Sequence, residues 1–329
     1  MNRILKLSIL LAALLGAMGA ARAQMSPLPG FPPGTFQNRA ALDAGGVAAY
    51  AGPGDVVGGA FMWGSCARVY SLAKASTSTS MCDLVQGPSG ASPGTAVGTL
   101  RGSATGFVDL TGYFAGSVTP ATACGLITGG CTVAKVYDQI GGTAGWSNAT
   151  NSQQPALVFS SLNGLPGMVG VSANITNMLG TALVADIPVP YFYASVYKKT
   201  GTAAESVTIG YNGSDSSMGT GVSANTAQIK GSLSTAFTAT AADNTFHSQI
   251  GLANGASPNS VLNIDGTETT GSTDANNIPT GAPPRILRGN GCCSIDGTVM
   301  EVGQWNANIS GPNRTALNSN MHGANGYNF

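Results

Sequence analysis

The chain has 329 residues, a formal charge of zero at pH 7 and only 9% charged residues. It carries no basic stripe and no polybasic run, so nucleic acid and anionic lipid are excluded as partners. Six cysteines, two histidines distant from them and no C-x2-C spacing favour disulfides over a metal centre.

The first 23 residues read as an address. Arg3 and Lys6 precede an apolar run from Leu7 to Met18, and Ala21-Arg22-Ala23 stands before Gln24. This predicts a signal peptide cleaved after Ala23, with a secreted or periplasmic product. The run is short for a membrane span and no later stretch is apolar enough, so no membrane attachment is expected after cleavage. Residues 24–39, with Pro27, Pro29, Pro32 and Pro33, read as a linker. Residues 40–329 show no second linker, internal repeat or shift of composition, and are expected to form one domain.

Cys82–Val85 is a predicted strand. Cys124 and Cys131 bracket a loop, and Thr132–Tyr137 follows as a strand with apolar residues on both faces. Asp138-Gln139 ends it, Gly141-Gly142 permits a turn, and Leu157–Phe159 begins the next strand. Tyr191–Tyr197 and Val207–Tyr211 are aromatic and β-branched, and Asn212-Gly213 closes the second of them as a strong turn. Thr226–Lys230 and Phe246–Leu252 follow. Val261–Ile264 leads into a hairpin with Asp265-Gly266 at its tip. Arg285–Arg288 and Thr298–Trp305 are the last strands, and Ser310–His322 is a closing helix with Pro312 in its first turn. Short strands between glycine turns, with almost no 3.6-residue periodicity, predict an all-β sandwich.

Spacing favours disulfides Cys66–Cys82 and Cys124–Cys131, which leaves Cys292–Cys293. Adjacent Cα atoms lie about 3.8 Å apart, below the usual disulfide range of roughly 4.4–6.8 Å. Separate partners elsewhere for these two cysteines therefore stay open. No Gly-x-Ser-x-Gly element, phosphate loop or metal-ligand cluster is present, and no cofactor is expected.

The C-x6-C loop at Cys124–Cys131, the strand ending in Tyr137-Asp138-Gln139, the Gly141-Gly142 turn and the Gln154-Pro155 strand resemble the catalytic-domain family of fungal arabinofuranosidase B. The resemblance covers roughly residues 40–329. It implies a concanavalin A-like jelly roll of two antiparallel sheets. It also implies a retaining glycosidase, which needs two carboxyl groups about 5–5.5 Å apart. The family's nucleophile Glu falls on Thr226 and its acid Asp on Asn290. Neither can form the glycosyl ester or supply the proton. Asp215 and Asp296 are the fallback carboxylates.

The family's sugar pocket also holds an adjacent cysteine pair, and here Cys292-Cys293 stands beside the loop matched to the acid. The expected sugar groove is lined by Trp146, Tyr211, Asn212, Asp215, Asn290, Cys292 and Cys293. The resemblance points to a glycan partner, an arabinose-containing polysaccharide or a cell-surface sugar. The missing carboxylates favour binding over hydrolysis. An active α-L-arabinofuranosidase and a structural module without sugar remain the alternatives.

Overall fold

The structure is a computed structural model that describes residues 50–87, 94–112, 114, 118–127, 129–140, 145–200, 205–221, 223–233, 236–323 and 325–329. The expected signal peptide and linker lie outside the described residues.

In chain order, helix α1 (Pro53–Val56) precedes β1 (Met62–Ser65), β2 (Ser80–Gln86) and β3 (Ala96–Arg101). Helix α2 (Pro120–Gly125) leads into β4 (Cys131–Val136), β5 (Trp146–Ser147), β6 (Ala156–Leu162), β7 (Leu165–Gly170) and β8 (Met178–Leu179). Then come β9 (Tyr191–Lys199), β10 (Ser206–Tyr211), β11 (Ser214–Thr220), β12 (Thr226–Lys230) and β13 (Ala236–Thr240). The chain ends with β14 (Phe246–Ala253), β15 (Ser260–Ile264), β16 (Thr267–Gly271), β17 (Pro284–Ile286), β18 (Gly297–Trp305) and helix α3 (Gly311–His322).

All strand pairs named here are antiparallel, and they form two sheets. One runs β16–β15–β14–β9–β18, with β1 and β7 sharing the far side of β18 and β6 beyond β7. The other runs β13–β12–β11–β10–β17–β8–β5–β4–β2–β3. The rung Thr132↔Ala156 joins β4 to β6 and links the sheets at one corner. This is the expected concanavalin A-like jelly-roll sandwich, closed by a short C-terminal helix.

Side chains alternate across each strand, and the register carries that alternation through the whole second sheet. Cys82, Val136, Trp146, Ile286, Ile209, Met218 and Ile229 face the core. The adjacent row, on the solvent side, reads Thr99, Asp83, Lys135, Ser147, Leu179, Arg285, Gly210, Ser217, Lys230 and Ala236. Across the core, a Cβ on Gly251 of β14 would come within 2.6 Å of Ile229 and 3.0 Å of Met218, so the sheets touch here with no spare volume. Polar contacts also cross the sandwich. Tyr193 Oη and Ser216 Oγ lie 2.6 Å apart, and Gln249 Nε2 donates to the Gly219 and Gln228 carbonyls at 2.9 Å.

The Tyr-Asp-Gln segment serves the fold. Asp138 Oδ1 accepts from the Trp63 and Ile140 amides, and Gln139 Oε1 accepts from the Tyr70 amide at 2.7 Å. Gln139 Nε2 reaches the Ser65 and Arg68 carbonyls. The segment thus ties the end of β4 to β1 and to the loop after it. There Arg68, fully buried, grips Glu301 of β18 with two bonds of 2.7 Å. Its remaining nitrogen donates to Asn320 Oδ1 and the Asn325 carbonyl, and Tyr327 Oη donates to Glu301 at 3.1 Å. Burial lowers the Arg68 pKa, but the Glu301 charge more than offsets this and the net direction is upward.

Three disulfides form, Cys66–Cys82, Cys124–Cys131 and Cys292–Cys293. No helix among the described residues is long and apolar enough to cross a membrane.

Both histidines of the chain meet one carboxylate at the β15–β16 turn. His247 Nδ1 lies 2.5 Å from Asp265 Oδ2, and His322 Nε2 of α3 lies 3.0 Å from Oδ1. Burial disfavours the His247 charge, but bonds to Asp265 and the Ala242 carbonyl outweigh it, and its pKa is raised. Burial acts against the Asp265 charge in turn, and His247 prevails to hold that pKa low.

Two outcomes follow from these contacts. Glu301→Gln leaves Arg68 buried without its counter-charge, and urea denaturation should show a loss of about 3–5 kcal/mol. A loss under about 1 kcal/mol would place the pair among contacts of surface strength. For His247, the raised folded pKa means its stabilisation is full below about pH 6.5 and fades as pH rises through the folded value. The Asp265 contribution is full above about pH 3.9 and fades as pH falls through its lowered value. The Tm advantage of the wild type over His247→Gln should therefore shrink as pH climbs from 6 to about 8.5. An advantage that stays flat across that range would contradict the ion pair.

Candidate functional site

The Asn212-Gly213 turn joins β10 to β11, and Asp215 projects from β11 on the solvent side. The loop after β17 closes over this turn. Asn290 Nδ2 donates to Asp215 Oδ1 at 3.2 Å, and the Gly213 amide donates to Asn290 Oδ1 at 3.0 Å. The same loop carries the Cys292–Cys293 bond, whose Cα atoms are 3.8 Å apart. It is pinned beneath by the Cys293 carbonyl, which accepts from the Val207 amide at 3.0 Å, and by the Gly289 amide, which donates to the Cys292 carbonyl at 3.2 Å. Cys293 and Leu287 both adopt left-handed backbone, with φ of 69°. Side-chain-bearing residues resist that conformation, so these contacts hold the loop in an uncommon shape. Cys292 is exposed at its crest.

Asn212, Asp215, Asn290, Cys292 and Cys293 are therefore brought together at the turn and the loop over it. Two other expected lining residues are not. Trp146 is buried on the core side of β5, with its ring against Gly64, and Tyr211 is buried with its hydroxyl donating to Gln304 Oε1 at 2.5 Å. Their positions in the alternation turn both rings inward, because large aromatics carry the packing of the interior. Neither reaches a ligand on the solvent side.

The positions matched to the catalytic pair also stand apart. Asn290 bonds the start of β11, whereas Thr226 accepts from the Gly221 amide just past the end of that strand. Six residues of strand at about 3.3 Å each place those anchor points roughly 20 Å apart. Asp296 faces elsewhere. Its carboxylate accepts from the Ser172 amide at 2.5 Å and the Ser172 hydroxyl at 2.7 Å, which fastens the segment after β7.

Every carboxylate among the described residues is met by a donor or cation of the fold. The carboxyls with a resolved shift, Asp109 and Asp265, are both held low, the direction opposite to that of a general acid. In both, burial acts upward and is outweighed, by bonds from Thr111 and Gly112 in one and from His247 in the other. No cluster of His, Cys, Asp or Glu among the described residues is arranged to hold a metal ion.

Residues that the sequence did not single out also border this loop. Arg285 of β17 donates from Nη1 to the Gly289 carbonyl at 3.1 Å, and Arg288 from Nη2 to the Gly291 carbonyl at 3.0 Å. Lys230 and Glu205 pair at 2.6 Å. The only hint of the arginines was two cations three residues apart in a chain poor in charge.

No family model matches the chain, and no curated protein matches it. Solved structures do. An arabinofuranosidase complexed with arabinofuranosyl-α-1,2-xylobiose aligns at TM-score 0.55 and 15% identity, covering 82% of this chain and 64% of that one. A variant of a GH54 α-L-arabinofuranosidase soaked with 4-nitrophenyl α-L-arabinofuranoside aligns at TM-score 0.55, 14% identity and the same coverage. A GH54 α-L-arabinofuranosidase soaked with a cyclic sulfate inhibitor gives TM-score 0.53 at 14% identity. The likeness is one of fold. The chain spans about 64% of the length of these enzymes.

Asn290 is the pin of the site. Asn290→Ala removes the acceptor for the Gly213 amide, a bond worth about 1 kcal/mol. Hydrogen exchange at that amide should quicken roughly fivefold while the β14 and β18 amides stay protected. Unchanged exchange at Gly213 would mean that the loop is held without Asn290.

Proposed function

We propose that the chain is an exported, carbohydrate-associated protein that uses an arabinofuranosidase-like sandwich to hold arabinofuranose-type glycans without cleaving them. The single observation that carries this reading is the Asp215–Asn290 contact. Where a retaining glycosidase sets two carboxyls across one bond, this loop sets a carboxylate against an amide that neither ionises nor gives up a proton at useful pH. The surroundings suit a neutral sugar. Asn212, Asp215 and Asn290 offer both donors and acceptors, and the exposed Cys292–Cys293 bond offers a compact apolar face. Three disulfides accord with an oxidising compartment.

Purified protein should leave an aryl arabinofuranoside at the buffer blank. It should retain arabinan, arabinoxylan or galactofuranan on a glycan array, with retention weakened about tenfold by Asp215→Ala, the loss of a charged hydrogen-bond partner. Hydrolysis well above the blank that Asp215→Asn or Asp296→Asn abolishes would replace binding by catalysis. Neither turnover nor retention of any of these glycans would leave a structural module.

A further inference from the structure

Four of the five described arginines divide into two kinds, the fifth, Arg101, being exposed on β3. Arg68 and Arg314 are buried and each meets a carboxylate through two bonds, to Glu301 and Glu268. Arg285 and Arg288 have no carboxylate partner among the described residues. Each spends one terminal nitrogen on a loop carbonyl, and the Nε of each is buried with no hydrogen-bond partner. A buried charged donor without an acceptor is costly, and the carboxylates that answer Arg68 and Arg314 have no counterpart here among the described residues. Burial and the charge of Arg288 both depress the Arg285 pKa, so the two cations feel each other.

The location is specific. Arg285 stands in the solvent-side row of the second sheet, between Leu179 and Gly210. Both guanidinium groups hold carbonyls of the loop that carries Asn290 and the Cys292–Cys293 bond. A sugar resting on that loop would bring a ring substituent to the two forks.

We propose that Arg285 and Arg288 form an oxyanion subsite beside the Cys292–Cys293 loop, and that the glycan it selects carries acidic sugars, a uronate or a sulfate ester. A guanidinium fork matches a planar carboxylate or a sulfate edge with two parallel bonds, which no neutral hydroxyl can match in strength. The inference rests on the glycan-binding reading for the sugar and on the arginine pair for the charge.

Calorimetry on the full-length secreted protein tests it with a neutral arabino-oligosaccharide, a glucuronate-bearing xylo-oligosaccharide and a sulfated oligosaccharide of equal length. At least one acidic probe should bind about tenfold tighter than the neutral one, and the advantage should fall as salt rises. Whichever acidic probe binds tighter identifies the anion as carboxylate or sulfate. Arg285→Gln and Arg288→Gln should each erase most of the difference between acidic and neutral probes. Arg288→Lys, which keeps the charge and loses the fork, should fall between. Arg101→Gln, an exposed arginine on β3 of the same sheet, should keep the preference. Circular dichroism confirms that each variant is folded, and Arg288→Lys carries the test if either glutamine variant is not.

Equal binding of acidic and neutral probes, a preference that survives both Arg285→Gln and Arg288→Gln, or no binding of any probe overturns the proposal. Tight neutral binding without acidic preference would sink the subsite and leave the furanoside reading standing. Acidic binding lost in the arginine variants, with no affinity for any arabinoside, would uphold the subsite and remove the furanose from the reading.

Discussion

The sandwich depends on one buried ion pair. Arg68 comes from the loop after β1, Glu301 from the middle of β18, and their neighbours Asn320 and Tyr327 from the closing helix and the tail. The loop after β1, the middle of β18 and the closing helix with its tail meet at one guanidinium. Such a pair adds little net stability compared with an apolar filling of the same shape, because both charges must leave water. Its value is directional. Two parallel bonds fix the angle between the loop and β18, and the third nitrogen admits the helix in one register. Asp138 and Gln139 extend this constraint to the end of β4, so the disulfide-bracketed loop, both sheets and the C-terminus share one anchor.

Such an arrangement uses carboxylates as structural parts. Glu301, Asp138, Asp265, Glu268 and Asp296 each satisfy backbone amides or cations inside the fold. A chain with only 14 acidic residues has few left for chemistry once these are placed. At the groove the remaining one, Asp215, bonds an amide. The arabinofuranosidase-like fold is therefore one whose described carboxylates are engaged with groups of the fold itself.

The strands rich in aromatic and β-branched residues were legible from sequence as Tyr191–Tyr197, Phe246–Leu252 and Thr298–Trp305, and they are buried on both faces almost throughout. Asn212-Gly213 and Asp265-Gly266 announced their hairpins because a left-handed turn needs such residues, and the closing helix showed through Pro312. Ser214–Thr220 and Ala236–Thr240 were missed. In Ser214–Thr220 the serines, threonine and glycine hide a buried face that tertiary contacts supply, a case of context outweighing propensity, whereas Ala236–Thr240 is a short edge strand with no fully buried residue. In the groove, Asn290 and the cysteine pair were readable from the loop they share. The inward turn of Trp146 and Tyr211 depends on register, which a sequence does not print. Arg285 and Arg288 read as ordinary strand residues, since only the absence of a carboxylate opposite them distinguishes them.

The ten-strand register of the second sheet separates two inventories. One row of residues fills the interior, and its immediate neighbours lie on the opposite face of the sheet, exposed or half-buried except at Gly210 and Ser217. Changes of side chain in the outer row need no compensating change in the inner one. Lineages that keep Ile209, Met218 and Ile229 could vary Ser147, Leu179 or Ala236 without disturbing the interior, whereas Asp83, Arg285 and Lys230 are tied to Thr99 and Tyr137, to the Gly289 carbonyl and to Glu205. The sheet is a surface on which specificity can drift while the architecture stands still.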